Sequence, residues 1–152
     1  EKVDKVWDFS APEWVDARTG IVSAANTNDS NWDLELNGLK VVAGGGSIKW
    51  NLSGETYYWQ PGGKSDGTTR YFEFTTDVAG TVTVYSSNTG GSEDLTRMVT
   101  VKVGDADPES LPGGTPSGDA PTKNDFSVGA GTVKIYPTGN GLRFYKIEFH
   151  SL

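Results

Sequence analysis

Residues 68–103 carry the sharpest alternation of apolar and polar positions in the chain. Three runs show it: Tyr71-Phe72-Glu73-Phe74, Thr81-Val82-Thr83-Val84-Tyr85, and Met98-Val99-Thr100-Val101-Lys102-Val103. A period of two belongs to a strand with one buried face. Phe72, Phe74, Val82, Val84, Val99, Val101 and Val103 are expected to point inward. Tyr71, Glu73, Thr81, Thr83, Tyr85, Thr100 and Lys102 are then expected to share one outer surface. The connections at 77–80 and 88–92 are short and polar, which predicts an antiparallel meander.

The same reading extends along the chain. Residues 3–9 form a first strand, with Trp7 in the core to fasten the N-terminus to the sheet. Residues 11–18 read as a loop or a single helical turn, 20–25 as a short strand, and 26–31 as a polar turn. Asn37-Gly38, between Leu34-Glu35-Leu36 and Leu39-Lys40-Val41-Val42, is a hairpin signal. Gly44-Gly45-Gly46 lacks the lysine and the following helix of a phosphate loop and reads as a turn. Strands are expected at 47–52 and 56–60, with an exposed loop at 60–67. Residues 104–125, rich in Pro and Gly, read as a long surface excursion. Further strands are expected at 125–128, 131–136 and 142–149, the last two joined as a hairpin by 137–141. No ten-residue stretch shows helical periodicity. These segments make about ten strands, enough for two packed sheets. The expected fold is all-β, a single antiparallel jelly-roll-like sandwich spanning 1–152.

Composition sharpens this reading. Gly accounts for 20 of 152 residues and hydrophobic residues for 35%, which suits many short strands and turns. The net charge of −7, without a basic run, argues against nucleic acid as a partner. The chain has no cysteine, and no apolar run of bilayer length, so membrane insertion is not expected. It opens at Glu1 with neither Met nor a signal-like segment, the expectation for a module trimmed from a larger protein.

Catalytic signatures are missing. His150 is the only histidine, and there is no zinc-binding His pair, nucleophile elbow or cysteine. Binding signals are richer. Five Trp and six Tyr exceed the usual needs of one core, and aromatic faces stack on sugar rings. Trp50, Tyr58 and Trp59 lie on consecutive strands and Tyr85 on the outer surface; in the competing reading Tyr57 and Trp59 are core and Tyr58 alone is exposed. Lys64, Arg70 and Arg97 are candidate partners for a carboxylated sugar. In the competing reading, the two arginines pair with Asp66, Glu93 or Asp94. Asn140, Arg143 and Tyr136 are candidates of the same kind. Asp105 and Asp107, with Glu109, are the candidate metal ligands, for a structural calcium ion; Asn28, Asp29 and Asp33 cluster similarly. The alternative is that these are ordinary turn acids.

Val6-Trp7-Asp8-Phe9-Ser10, Thr69-Arg70-Tyr71-Phe72-Glu73-Phe74, Gly80-Thr81-Val82-Thr83-Val84-Tyr85 and Leu142-Arg143-Phe144-Tyr145-Lys146-Ile147-Glu148-Phe149 together resemble bacterial non-catalytic sandwich modules. Such modules are attached to secreted pectate lyases and related enzymes that degrade plant cell-wall polysaccharides. The resemblance implies a monomeric, extracellular or cell-surface carbohydrate-binding module joined to a catalytic domain. Its implied ligand is pectin, with Lys64, Arg70 and Arg97 meeting galacturonate carboxylates. Three alternatives stand beside it: a neutral-glycan binder of xylan, glucan or galactan, a structural or adhesion sandwich, and a small lyase or hydrolase.

Overall fold

The computed structural model describes residues 2–22 and 26–152. In chain order the elements begin β1 (Asp4–Asp8), α1 (Pro12–Ile21), β2 (Asn26–Asp29), β3 (Asp33–Leu36), β4 (Leu39–Val42), β5 (Ile48–Ser53) and β6 (Thr56–Pro61). They continue β7 (Tyr71–Thr76), β8 (Gly80–Ser87), β9 (Met98–Val103), β10 (Glu109–Pro112), β11 (Thr122–Val128), β12 (Gly131–Thr138) and β13 (Arg143–Ser151). Among the described residues the strands form two antiparallel sheets. The first has seven strands in the order β11-β8-β13-β6-β5-β2, with β1 also paired to β13. The second has six, in the order β10-β9-β12-β7-β4-β3. The all-β sandwich is the expected fold, with thirteen strands among the described residues.

Inward parity holds: Phe72, Phe74, Val82, Val84, Val99 and Val101 are each 4% exposed or less. Val103 is half-buried. The meander does not form. β7 and β9 lie in the six-stranded sheet with β12 between them, while β8 lies in the other sheet. Alternation states which face of a strand is apolar, not which strand lies beside it. The short connection after β7 carries the chain over the sandwich edge, a step of about 10 Å. The expected outer surface therefore splits in two. Thr81, Thr83 and Tyr85 face out from one sheet, and Tyr71, Glu73, Thr100 and Lys102 from the opposite one. The final hairpin fails for the same reason, since β12 and β13 belong to different sheets.

Residues 12–21 are a ten-residue helix rather than a loop or one turn. Pro12 suits its first turn, and Glu13 and Arg18 suit opposite ends of its dipole. Only Trp14 and Arg18, four residues apart, are buried, so no apolar stripe announces the helix. Arg18 Nε and Nη2 donate to the Trp50 carbonyl at 3.3 and 3.0 Å, which fixes α1 to β5. The strand expected at 20–25 is helical at Gly20 and Ile21, and positions 23–25 lie outside the described residues. The polar turn expected at 26–31 contains β2, an edge strand held to β5 partly by side chains. Thr27 N donates to Asn51 Oδ1 at 3.1 Å, and Leu52 N donates to Asn26 Oδ1 at 3.2 Å. Asn37 (φ 53°) and Gly38 (φ 86°) form the expected hairpin turn between β3 and β4. The long excursion is shorter than expected: β10 pairs with β9 and β11 with β8. Among the described residues no helix is long and apolar enough to cross a membrane.

All five tryptophans are in the core, Trp32 at 9% exposure and the others at 1% or less. Trp50 and Trp59 stack at 4.2 Å with 22° between their planes. Trp32 meets both edge-on, and Trp14 meets Trp50 edge-on. The tryptophan excess is thus filling between sheets, an arrangement worth more than its buried area alone. Trp59→Ala is expected to lower stability by about 3–5 kcal/mol, measured by urea unfolding; a loss below about 1 kcal/mol would show that the cluster is not the core's centre.

Candidate functional site

A groove of about 450 Å³ lies on the outer face of the seven-stranded sheet. Alternation along β6 turns Tyr58 and Gln60 outward, and along β8 it turns Tyr85 and Ser87 outward. β13 breaks the rule. Its register against β8 passes from Phe144↔Ser86 directly to Lys146↔Tyr85. This bulge sets Tyr145 and Lys146 side by side in the groove lining.

Tyr58 is 4% exposed and forms the floor, with Tyr145 at 5.8 Å and tilted 56° to it. Tyr85 and Tyr145 are half-buried and supply the accessible rings. Ser87 Oγ donates to the Asn88 carbonyl at 2.9 Å. Its single proton is thereby used, so the 2.8 Å contact with the Tyr145 hydroxyl has the phenol as donor. Arg143 lies 4.5 Å from the Tyr58 ring centre and Lys146 lies 4.7 Å from that of Tyr85. Asp8 and Asp119 also line the groove, balancing the two cations. Ser117, Asp119 and Pro121 form one wall. That wall is tied to the end of β8 by Asn88 N donating to the Thr115 carbonyl (2.7 Å) and by Ser117 N donating to that of Gly90 (2.9 Å).

Of the residues singled out in the sequence, Tyr58, Tyr85 and Arg143 meet in this groove. Trp50 and Trp59 do not. Both are 0% exposed, and a ring with no open face has none to offer a sugar. Arg97 is engaged as the competing reading had it. Its Nε pairs with Asp94 Oδ2 at 3.1 Å, and its Nη1 donates to Thr89 Oγ1 and the Gly141 carbonyl at 2.9 and 2.8 Å. Arg97 and Asn140 share a smaller hollow with Lys49 and Gln60. Lys64 is exposed in a separate hollow beside Asp66 and Thr68. Arg70, at φ 54°, donates through Nη1 to the Lys64 carbonyl at 3.0 Å. The three cations assigned to a carboxylated sugar therefore do not converge with the aromatic groove. Tyr136 is 4% exposed, and burial, then the nearby Asp66 charge, pushes its phenol up. Asp105 and Asp107 sit in an exposed turn after β9. Among the described residues no three His, Asp or Glu side chains gather to hold a metal ion.

Tyr145 and Lys146 were missed in the sequence, though a signal was present. Inward residues Phe144 and Ile147 are three apart where a regular strand would place them two apart, the mark of an extra residue. His150 was also underrated. Its Nδ1 meets Asp4 Oδ1 at 2.8 Å and its Nε2 meets Glu148 Oε1 at 2.9 Å, while Lys146 Nζ lies 3.4 Å from Glu148 Oε2. The bonds to Glu148 and then Asp4 raise the His150 imidazole above its ordinary 6.5. Burial opposes ionisation of Glu148, but the bonds from His150, Lys146 and Tyr85 outweigh it and hold the carboxyl below 4.5.

The histidine's contribution to stability is full below its unfolded value of 6.5 and is lost as pH rises through its raised folded value. The glutamate's is full above its unfolded value of 4.5 and is lost as pH falls through its lowered one. The cluster therefore supports the fold most between about pH 4.5 and 6.5. His150→Gln is expected to shrink the drop in melting temperature between pH 6 and pH 8.5; an unchanged drop would show that the bonds do not persist in solution.

No protein-family model matches the chain, and no curated protein matches it. Three solved structures illustrate what it is similar to. One is the family 35 carbohydrate-binding module from Clostridium thermocellum, at 14% identity over 97% of this chain and 98% of that one, with a TM-score of 0.44. Another is the apo form of BiXyn10A CBM1, at 12% identity over 100% and 99% of the two chains, with a TM-score of 0.48. The third is the K2 cleaved adhesin domain of Lys-gingipain, at 14% identity over 97% and 99%, with a TM-score of 0.41. At these identities and scores they establish neither a family nor a ligand for this chain.

Proposed function

We propose that this sandwich is a non-catalytic glycan-binding module that takes the neutral backbone of a polysaccharide in the tyrosine-lined groove. The observation that carries the reading is the convergence of Tyr58, Tyr85 and Tyr145 with Arg143, Lys146, Asp8 and Asp119 in one open groove. Half-buried phenol rings offer apolar surface to the C–H faces of a pyranose, and the charged rim supplies donors and acceptors for hydroxyls. Two cations faced by two carboxylates favour a ring bearing hydroxyls over a chain bearing a negative charge on every residue. A net charge of −7 adds a mild repulsion against such a polyanion. Xylan, glucan or galactan thus suits the groove better than pectin. Joined to a degrading enzyme and secreted with it, such a module would hold the catalytic domain on its polysaccharide.

Affinity electrophoresis against low-ester pectin, xylan, galactan, glucomannan and mixed-linkage glucan tests this directly. Retardation by at least one neutral glycan is expected, without release of sugar products. Tyr85→Ala and Tyr145→Ala are each expected to weaken that binding about tenfold, with little change in melting temperature. Lys64→Ala and Arg70→Ala are expected to leave it within about twofold. Retardation by pectin alone, lost in Lys64→Ala, would move the site to the separate hollow at Lys64 and overturn the groove.

A further inference from the structure

The smaller hollow beside the groove has a different chemistry. About 280 Å³ in volume, it is lined by Lys49, Gln60, Arg97 and Asn140 together with Ser47, Thr89 and the Gly62–Gly63 backbone. No carboxylate lines it. Its two side-chain amide oxygens are already used. Gln60 Oε1 accepts from Arg143 Nε at 3.2 Å, and Asn140 Oδ1 accepts from Gly141 N at 2.8 Å. Each amide therefore has its NH₂ group left over as a donor. Arg97 makes its bonds through Nε and Nη1, so Nη2 makes none among the described residues. Lys49 is half-buried, yet its ammonium meets no partner among them. Four donor groups thus border one concavity: the Lys49 ammonium, two side-chain amides and the Nη2 of a guanidinium whose charge is already paired with Asp94. The Arg143–Gln60 bond joins it to the tyrosine groove, because Arg143 lines the groove and Gln60 lines the hollow.

We propose that this hollow is an oxyanion subsite at the end of the groove, taking a carboxylate or a sulfate ester carried by the bound polysaccharide. The inference rests on the reading of the groove as a glycan site and narrows it. The preferred ligand has a neutral backbone with isolated acidic substituents, and is neither a bare neutral glycan nor a polyuronate. Lys49 supplies the charge, while Arg97 Nη2, Gln60 and Asn140 supply directed donors.

Calorimetric titration with paired soluble polysaccharides is the test. Arabinoxylan is compared with glucuronoxylan, hydroxyethylcellulose with lightly carboxymethylated cellulose, and galactan with a sulfated galactan. In whichever pair binds, the acidic member is expected to bind about tenfold tighter, and the preference is expected to shrink as salt rises. Whether carboxylate or sulfate gains more identifies the oxyanion. Lys49→Met, which keeps the stem and removes the charge, is expected to erase the preference and leave the neutral member's affinity within about twofold. Equal affinity within the binding pair, or a preference that survives Lys49→Met, overturns the subsite. If no pair binds, the glycan reading itself fails, and the hollow is tested alone with free glucuronate and inorganic sulfate. Saturable shifts of the Lys49 and Arg97 side-chain NMR signals, lost in Lys49→Met, would sustain an oxyanion site; their absence would overturn it.

Discussion

The extra residue in β13 at Tyr145 is the constraint on which both the sheet and its groove depend. β8 occupies one edge of β13 along most of its length. The other edge is shared, with β1 pairing from Lys146 to His150 and β6 pairing at Phe144. The bulge falls where one partner gives way to the other. Phe9 N donates to the Tyr145 carbonyl at 3.2 Å, closing the seam just beyond β1. A regular strand would turn Lys146 inward, between two sheets that have no partner for a charge. With the bulge, Phe144 and Ile147 both reach the core while Tyr145 and Lys146 both reach solvent. The defect in the ladder is what opens the floor of the groove.

Behind that floor stands a stiff aromatic interior. Trp50 and Trp59, stacked on neighbouring strands, back the sheet directly beneath Asn51 and Tyr58. α1 seals one end of the sandwich through Trp14 and the Arg18–Trp50 bonds. Side chains buried this fully have few alternative rotamers, which favours a groove held in place before any ligand arrives. A pre-formed site spares the binding step much of the ordering cost that otherwise offsets weak stacking contacts.

Much of the fold was legible because face polarity repeats every second residue. The inward positions of β7, β8 and β9, the Asn37-Gly38 turn and the core role of Trp7 could all be read that way. Pairing could not. A few residues suffice either for a hairpin or for a step across the sandwich edge, and the composition of 77–80 and 137–141 suits both. α1 stayed hidden because two buried residues make no stripe. Residue type alone singled out Tyr58, Tyr85 and Arg143, which line the groove, although Tyr58 is buried in its floor rather than exposed. Trp50 and Trp59 are core instead, because a sugar-stacking ring and a core ring have the same composition. Lys64 and Arg70 drew attention as candidate partners for a carboxylated sugar. Only the fold could show that Arg70 spends a guanidinium nitrogen on the Lys64 carbonyl, and that Lys49, unremarked in the sequence, lines a hollow without a carboxylate.

The central claim is that ligand binds the outer face of the seven-stranded sheet. Backbone amide shifts of the labelled protein, followed during titration with whichever soluble neutral glycan retards it, test that most directly. The account predicts that the shifting amides cluster at Tyr58, Tyr85, Arg143, Tyr145 and Lys146 and along the 117–121 wall. Shifts centred instead on Tyr71, Lys134 and Tyr136, across the sandwich, would contradict it.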